Sequence, residues 1–181
     1  SKPGTEFHYS DTGMGLLGLI VERVSGKRFD QFLADNFLTP LGLNNTSYPY
    51  EGSDVMIPEP TAGSYAYYQG EVFDVSDHNV SLNVAEGNMI TTPYDLSLWI
   101  KSLYTGNAGV NYNQVQFYIM DCLPTFESHQ HYGLGTVFTP KLGYGHNGGI
   151  LGYFTIARYD PETDITVVMY TNVWDFDVFE I

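Results

Sequence analysis

Leu16, Leu17, Leu19, Ile20, Val21 and Val24 recur at spacings of one, three and four. So wide an apolar stripe predicts a well-buried helix over about residues 12–25. Gly26 follows where a helix usually stops. A second short helix is predicted over 29–37, ending before Pro40, with Leu41-Gly42-Leu43 as a tight packed turn. Residues 48–90 carry little periodicity, three prolines and five tyrosines. They read as ordered loop packed by its aromatics and forming a wall of a cleft. In "TTPYDLSLWIKSLYTG", Thr91 or Thr92 caps a helix and Pro93 occupies its first turn. Leu96, Leu98, Trp99, Ile100 and Leu103 form its buried side, and Gly106 closes it. A further short helix is expected over 113–121.

The pattern then changes. "YGLGTVFTP", "YGHNGG", "GYFTIARYD" and "DITVVMYTN" are short β-rich runs. Asp160-Pro161-Glu162-Thr163-Asp164 reads as the hairpin loop between the last two. Helices and loop occupy about residues 1–125, and antiparallel strands about 132–172. That order predicts an α+β fold in a single domain.

Composition narrows the function classes. The chain has 181 residues, 43% of them hydrophobic, which suits a buried core. No apolar run approaches the roughly 18 residues of a membrane span. Its net charge of −14 repels phosphate backbones, which argues against nucleic acid as a partner. Cys122 is the only cysteine, so no internal disulfide forms.

Two stretches carry candidate chemistry. In "FHYSDTGMG", Tyr9-Ser10-Asp11 stands at a helix start. Asp11, Ser10 or Thr12 serves as N-cap, with Tyr9 packed beside it. Polar groups therefore converge where backbone N–H groups point outward. In "GYGHNGGILGY", five glycines surround His146. Glycine within a strand marks a bulge or a close approach by backbone or ligand, so His146 is expected beside an open groove. A glycine-rich turn around a hydrogen-bonded His is the plainer alternative. Glu127, His129 and His131 alternate in "ESHQH", but no obvious further ligand completes a set, so no metal site is assigned. Ser10, His146 and Asp11 would form a triad only through a chance of folding.

Taken together, these segments resemble the serine β-lactamase-like superfamily of penicillin-binding DD-peptidases, class C β-lactamases and related esterases. "PGTEFHYSDTGMGLLGLIVERVSGKRFDQFL" resembles the family's Tyr-x-Asn segment and following helix. "EGNMITTPYDLSLWIKSLYTG" resembles a later small-residue loop and helix. "YGLGTVF…YGHNGGILGYFTIARYDPETDITVVMYTN" resembles the strand bearing the third motif, in its His-x-Gly form, and its successors. The resemblance runs from about residue 3 to 172 and implies a β-lactamase/transpeptidase-like fold.

Residue by residue, Tyr9 falls on the family's catalytic Tyr, and Asp11 stands where an Asn is usual. His146 and Gly148 match the His-x-Gly strand, with Asn147 between them, and the N–H of Gly149 would be an oxyanion donor. A Tyr acts as base at neutral pH only when cations stabilise its anion. The family supplies a Lys for this, and His146 would help. The nucleophile is the Ser of Ser-x-x-Lys. No Ser in this chain has Lys three places on; Ser25 has Arg28 there, and Ser97 has Lys101 four on.

The resemblance therefore implies the C-terminal portion of a serine acyl hydrolase, a partial domain that is inactive alone. Its substrate would be a D-Ala-D-Ala peptide, a β-lactam or a small ester, with no cofactor. Its partners would be the missing N-terminal part or a second copy. The alternative is a non-catalytic fragment or pseudo-enzyme that binds peptide or a partner protein at an exposed sheet edge. No membrane anchor is visible, and the resemblance implies a periplasmic or secreted location.

Overall fold

Ser10 starts the first helix. Its Oγ accepts the Gly13 N–H at 3.0 Å, which settles which of the three candidate residues caps α1 (Asp11–Ser25). Gly26, at φ 69°, closes α1 in the left-handed conformation. This is a computed structural model that describes residues 2, 5, 7–52, 57–125, 130–150 and 152–175. The predicted deep burial of α1 is corrected. Leu16, Leu17, Leu19, Ile20 and Val24 each remain more than half exposed. The helix meets the body through its glycines instead. A Cβ on Gly18 would lie 2.8 Å from Ala85 Cβ, and one on Gly15 would lie 2.9 Å from Glu86 Oε1. The smaller residues thus allow an approach that the leucines would block.

α2 (Phe29–Leu33) runs through a π-helical turn (Ala34–Leu38) into α3 (Thr39–Leu41). The predicted stop before Pro40 is therefore too early. The Thr39 N–H reaches back five residues to the Ala34 carbonyl. The wider turn relaxes the clash that Pro40 would make with a regular preceding turn. Gly42, at φ 68°, ends the helix instead.

The stretch expected to be loop contains a hairpin, β1 (Tyr65–Tyr68) and β2 (Glu71–Asp74). Gln69 and Gly70 connect the strands, with φ 51° and 86°. Two successive positive φ values describe the hairpin turn whose twist matches its strands.

α4 (Pro93–Tyr104) begins as the sequence predicts, and of its two candidate caps it uses Thr92, whose side chain accepts the Asp95 N–H at 3.2 Å. Asp95 is buried. Its Oδ2 accepts the Asn45 N–H at 2.7 Å and the Thr46 hydroxyl at 2.9 Å, tying residues 44–46 to the helix. The next helix is capped by Asn111 and Gln114 reciprocally. It consists of α5 (Tyr112–Gln114) and a π-helical turn (Val115–Ile119), close to the expected 113–121.

A six-stranded antiparallel meander follows in chain order: β3 (Leu123–Pro124), β4 (His131–Tyr132), β5 (Val137–Thr139), β6 (Gly143–Ile150), β7 (Tyr153–Asp160) and β8 (Ile165–Thr171). The expected 160–164 loop joins β7 to β8. β9 (Val173–Asp175) leaves this sheet and pairs parallel with β1. α4 packs across β7 and β8, where Ile100, Tyr104, Val115, Ala157 and Tyr159 form the buried core. The Tyr104 and Tyr159 rings stack at 6.0 Å, and the Tyr104 hydroxyl meets Thr136 Oγ1 at 3.1 Å. The result is the expected α+β class.

Candidate active site

The two halves of β6 differ. β5 pairs only with Gly143, Tyr144 and Gly145. From His146 onward, among the described residues, β6 pairs with β7 alone and its other edge is open. The segment before α1 stands beside that opening. The Tyr9 ring lies 6.0 Å from His146 and 6.0 Å from Tyr132. Phe7, Tyr9, Tyr132, Val137, His146 and Asn147 line a cleft of about 280 Å³, with Thr125 and Gln130 at its wall. The fold thus brings Tyr9 and His146 together from opposite ends of the chain.

The electrostatics oppose a free Tyr9 anion. Burial raises its pKa, and a hydrogen bond to the Asp11 carboxylate raises it further. The charges of Asp11 and Glu86 act in the same direction. Half exposed and beside two carboxylates, Tyr9 is a proton donor in this chain.

Both ring nitrogens of His146 are engaged. Nδ1 meets the Asn147 carbonyl, and Nε2 lies 2.9 Å from the Tyr132 hydroxyl. A carbonyl can only accept, so Nδ1 carries a proton, while Nε2 and the Tyr132 hydroxyl share one hydrogen bond. Burial, more than any neighbouring charge, pushes the Tyr132 phenol up to about 12, so it remains a donor.

Alternation along β6 sends Asn147 to the face away from His146. Its Oδ1 accepts from Arg158 Nη2 at 2.8 Å, while Arg158 Nη1 donates to the Ala157 carbonyl at 2.9 Å. Arg158 is buried, and desolvation lowers its pKa. The Asn147 side chain is therefore committed to Arg158.

The glycines were expected to mark a close approach by backbone or ligand beside an open groove. Four of the five are closely packed: a Cβ on Gly143 would lie 2.2 Å from the Tyr159 carbonyl oxygen, and one on Gly152 would lie 2.7 Å from the Tyr65 nitrogen. A Cβ on Gly145 would lie 1.8 Å from the Ala157 carbonyl oxygen, and one on Gly149 would lie 2.4 Å from the Trp174 ring. Only Gly148 faces open space, its nearest neighbour being Thr155 Cβ at 4.0 Å.

Sequence reasoning missed Tyr132, Phe7 and Arg158. "YGLGTVF" was legible as a strand, but the approach of Tyr132 to His146 depends on two pairings. Tyr132 pairs with Val137, and Val137 pairs with Gly145. The local-triad alternative is not supported, since Ser10 Oγ caps α1 and His146 Nε2 faces Tyr132. Of the "ESHQH" set, Glu127 and His129 lie outside the described residues, and His131 packs its ring on Phe138 at 6.0 Å. Among the described residues no group of His, Cys, Asp and Glu is arranged to hold a metal, and no helix is long and apolar enough to cross a membrane.

A Tyr beside a helix start, facing a His-x-Gly strand, is an arrangement that can be compared with known proteins. The sequence profile of the Beta-lactamase family matches residues 1–180. The chain belongs to the Beta-lactamase family. Among solved structures, this family member is similar to a D-stereospecific amidohydrolase from Streptomyces sp., with a TM-score of 0.85 and 25% identity. That match covers 96% of this chain and 52% of the amidohydrolase. The D-amino acid amidase of Ochrobactrum anthropi SV3 matches with a TM-score of 0.83 and 25% identity, over 97% of this chain and 53% of that one. Among curated proteins, "Protein flp" of Staphylococcus aureus (strain MW2) is 31% identical over 103 residues, covering 55% of this chain and 20% of its own length. The chain thus spans about half, or less, of each of these relatives.

Proposed function

We propose that the protein containing this chain is a serine acyl hydrolase acting on amides, peptides or esters with a D-configured residue near the scissile bond. The convergence of Tyr9, Asp11 and His146 on the open half of β6 carries this reading. The D-stereospecific amidohydrolase and the D-amino acid amidase support the substrate class. D-Ala-D-Ala peptides fall within it, and β-lactams and small esters present the same kind of acyl group to the nucleophile.

A Ser-x-x-Lys segment outside these residues supplies the nucleophile and a Lys, so this chain alone is inactive. The Lys cation offsets the carboxylates around Tyr9 and lets its phenolate form. Tyr9 then moves the proton between the nucleophile and the leaving group, with Asp11 orienting Lys and substrate. Gly149 donates its N–H to the oxyanion, and Gly148 leaves room for the acyl group beside the strand. His146, fixed through both ring nitrogens, shapes the cleft as a hydrogen-bonding wall. The site of action is periplasmic or secreted.

The test is hydrolysis of a p-nitrophenyl ester, a D-amino acid amide and a chromogenic cephalosporin, by this chain and by the protein encoded by its full gene. Turnover by the longer protein alone is expected. Turnover by the short chain, lost on Ser10→Ala, would overturn the assignment.

A second reading has its own observation. α1 exposes Leu19 and Val24 by 61% and 82%, and β8 exposes Ile165, Val167 and Met169 along one face. Such faces suit a binding module that takes up a partner protein or a second copy. A monodisperse 20.3 kDa species in gel filtration counts against it.

A further inference from the structure

The cleft holds a second tyrosine beside Tyr9. Tyr132 touches every aromatic group of the site. Its ring lies 5.0 Å from Phe7, 6.0 Å edge-on to Tyr9 and 5.5 Å edge-on to His146. Its hydroxyl meets His146 Nε2 at 2.9 Å. No other hydrogen bond is described for that hydroxyl.

Consider what His146 would be without it. The Asn147 carbonyl asks Nδ1 to carry a proton. Nε2 is then a bare acceptor beside an open strand edge, free to take a proton from substrate or solvent. Either event would rotate or charge the ring that faces Tyr9. A phenol that resists ionisation is a suitable stopper, because it always presents a proton. Its register across β5 also fixes where that proton sits.

We infer that Tyr132 is a positioning residue for acyl transfer, locking His146 in its Nδ1–H tautomer and holding its ring against Tyr9. The inference rests on the function proposed above, but its first test does not. In the full-length protein labelled with ¹⁵N-histidine, the His146 ring, identified by loss of its signals in His146→Gln, shows a protonated Nδ1 and a bare Nε2. Tyr132→Phe keeps the ring and removes only the O–H. Its His146 signals move toward a mixture of tautomers. On a p-nitrophenyl ester, Tyr132→Phe lowers kcat by about 10- to 100-fold with KM nearly unchanged, the usual cost of a displaced catalytic group.

A purely packing tyrosine would move neither quantity. The double variant Tyr132→Phe/His146→Gln separates the two roles further, because a residue acting through His146 adds nothing once His146 is gone. Its activity is expected to equal that of His146→Gln. An unchanged tautomer in Tyr132→Phe, or losses that multiply in the double variant, overturns the inference. If the full-length protein hydrolyses none of the substrates, the functional reading fails, and the tautomer measurement still decides the part played by Tyr132.

Discussion

α1 and α4 look alike in sequence and do different work. Each begins at a Ser or Thr cap, carries an apolar stripe and stops near a glycine in the left-handed region. α4 turns Ile100 and Tyr104 into the core against β7 and β8. α1 turns its glycines inward and its leucines outward, and its first turn holds Asp11 beside Tyr9 in the cleft. An apolar stripe therefore states that a face is coverable, not what covers it. Of these two helices, the one that contributes more to the site contributes less to the core.

Five substitutions would break or sharpen this contrast. The largest effect belongs to α4. Ile100→Ala empties a buried position and is expected to cost about 2–5 kcal/mol in denaturant unfolding. Tyr9→Phe, just before α1, reverses the balance. It should lower kcat/KM of the full-length protein about 100-fold or more while leaving its unfolding midpoint nearly unchanged. Full activity in Tyr9→Phe would return Tyr9 to a packing role.

The caps come next. Ser10→Ala and Thr92→Ala each remove one side-chain bond to a helix N–H and should each cost about 1 kcal/mol by thermal melting. A much larger loss at Thr92 would show that the Asp95 clamp depends on it. The smallest effect is expected at Val24, which is 82% exposed. Val24→Ser should shift the stability of this chain by less than about 0.5 kcal/mol. A markedly larger shift in the full-length protein would show that the leucine face of α1 is covered there.

What was legible in the sequence was what local chemistry determines. Thr92, Pro93 and the stripe behind them marked α4, and the turn residues 160–164 marked the β7–β8 hairpin. The β1–β2 hairpin was missed because Gln69-Gly70 replaces the usual Asn-Gly and because "YAYY" shows no alternation. The helical stop at Pro40 was misplaced because a π-helical turn is a property of the three-dimensional path. In the site, Tyr9 and His146 were legible from a helix start and a glycine-rich strand. Tyr132 and Arg158 were not, since each reaches its partner only through strand pairing. The glycines at 145 and 149 were legible as places of close approach. A missing side chain signals a close neighbour without saying whether that neighbour is substrate, backbone or tryptophan.

That tryptophan has a practical use. The chain has two, Trp99 against Phe37 in the helical layer and Trp174 lying on the backbone of Gly149. With Trp99 replaced by Phe, the remaining emission would come from an indole in van der Waals contact with the proposed oxyanion strand. A shift in the packing of that strand would then be readable as a change in light from a single residue of this chain, with no label attached and no need for turnover.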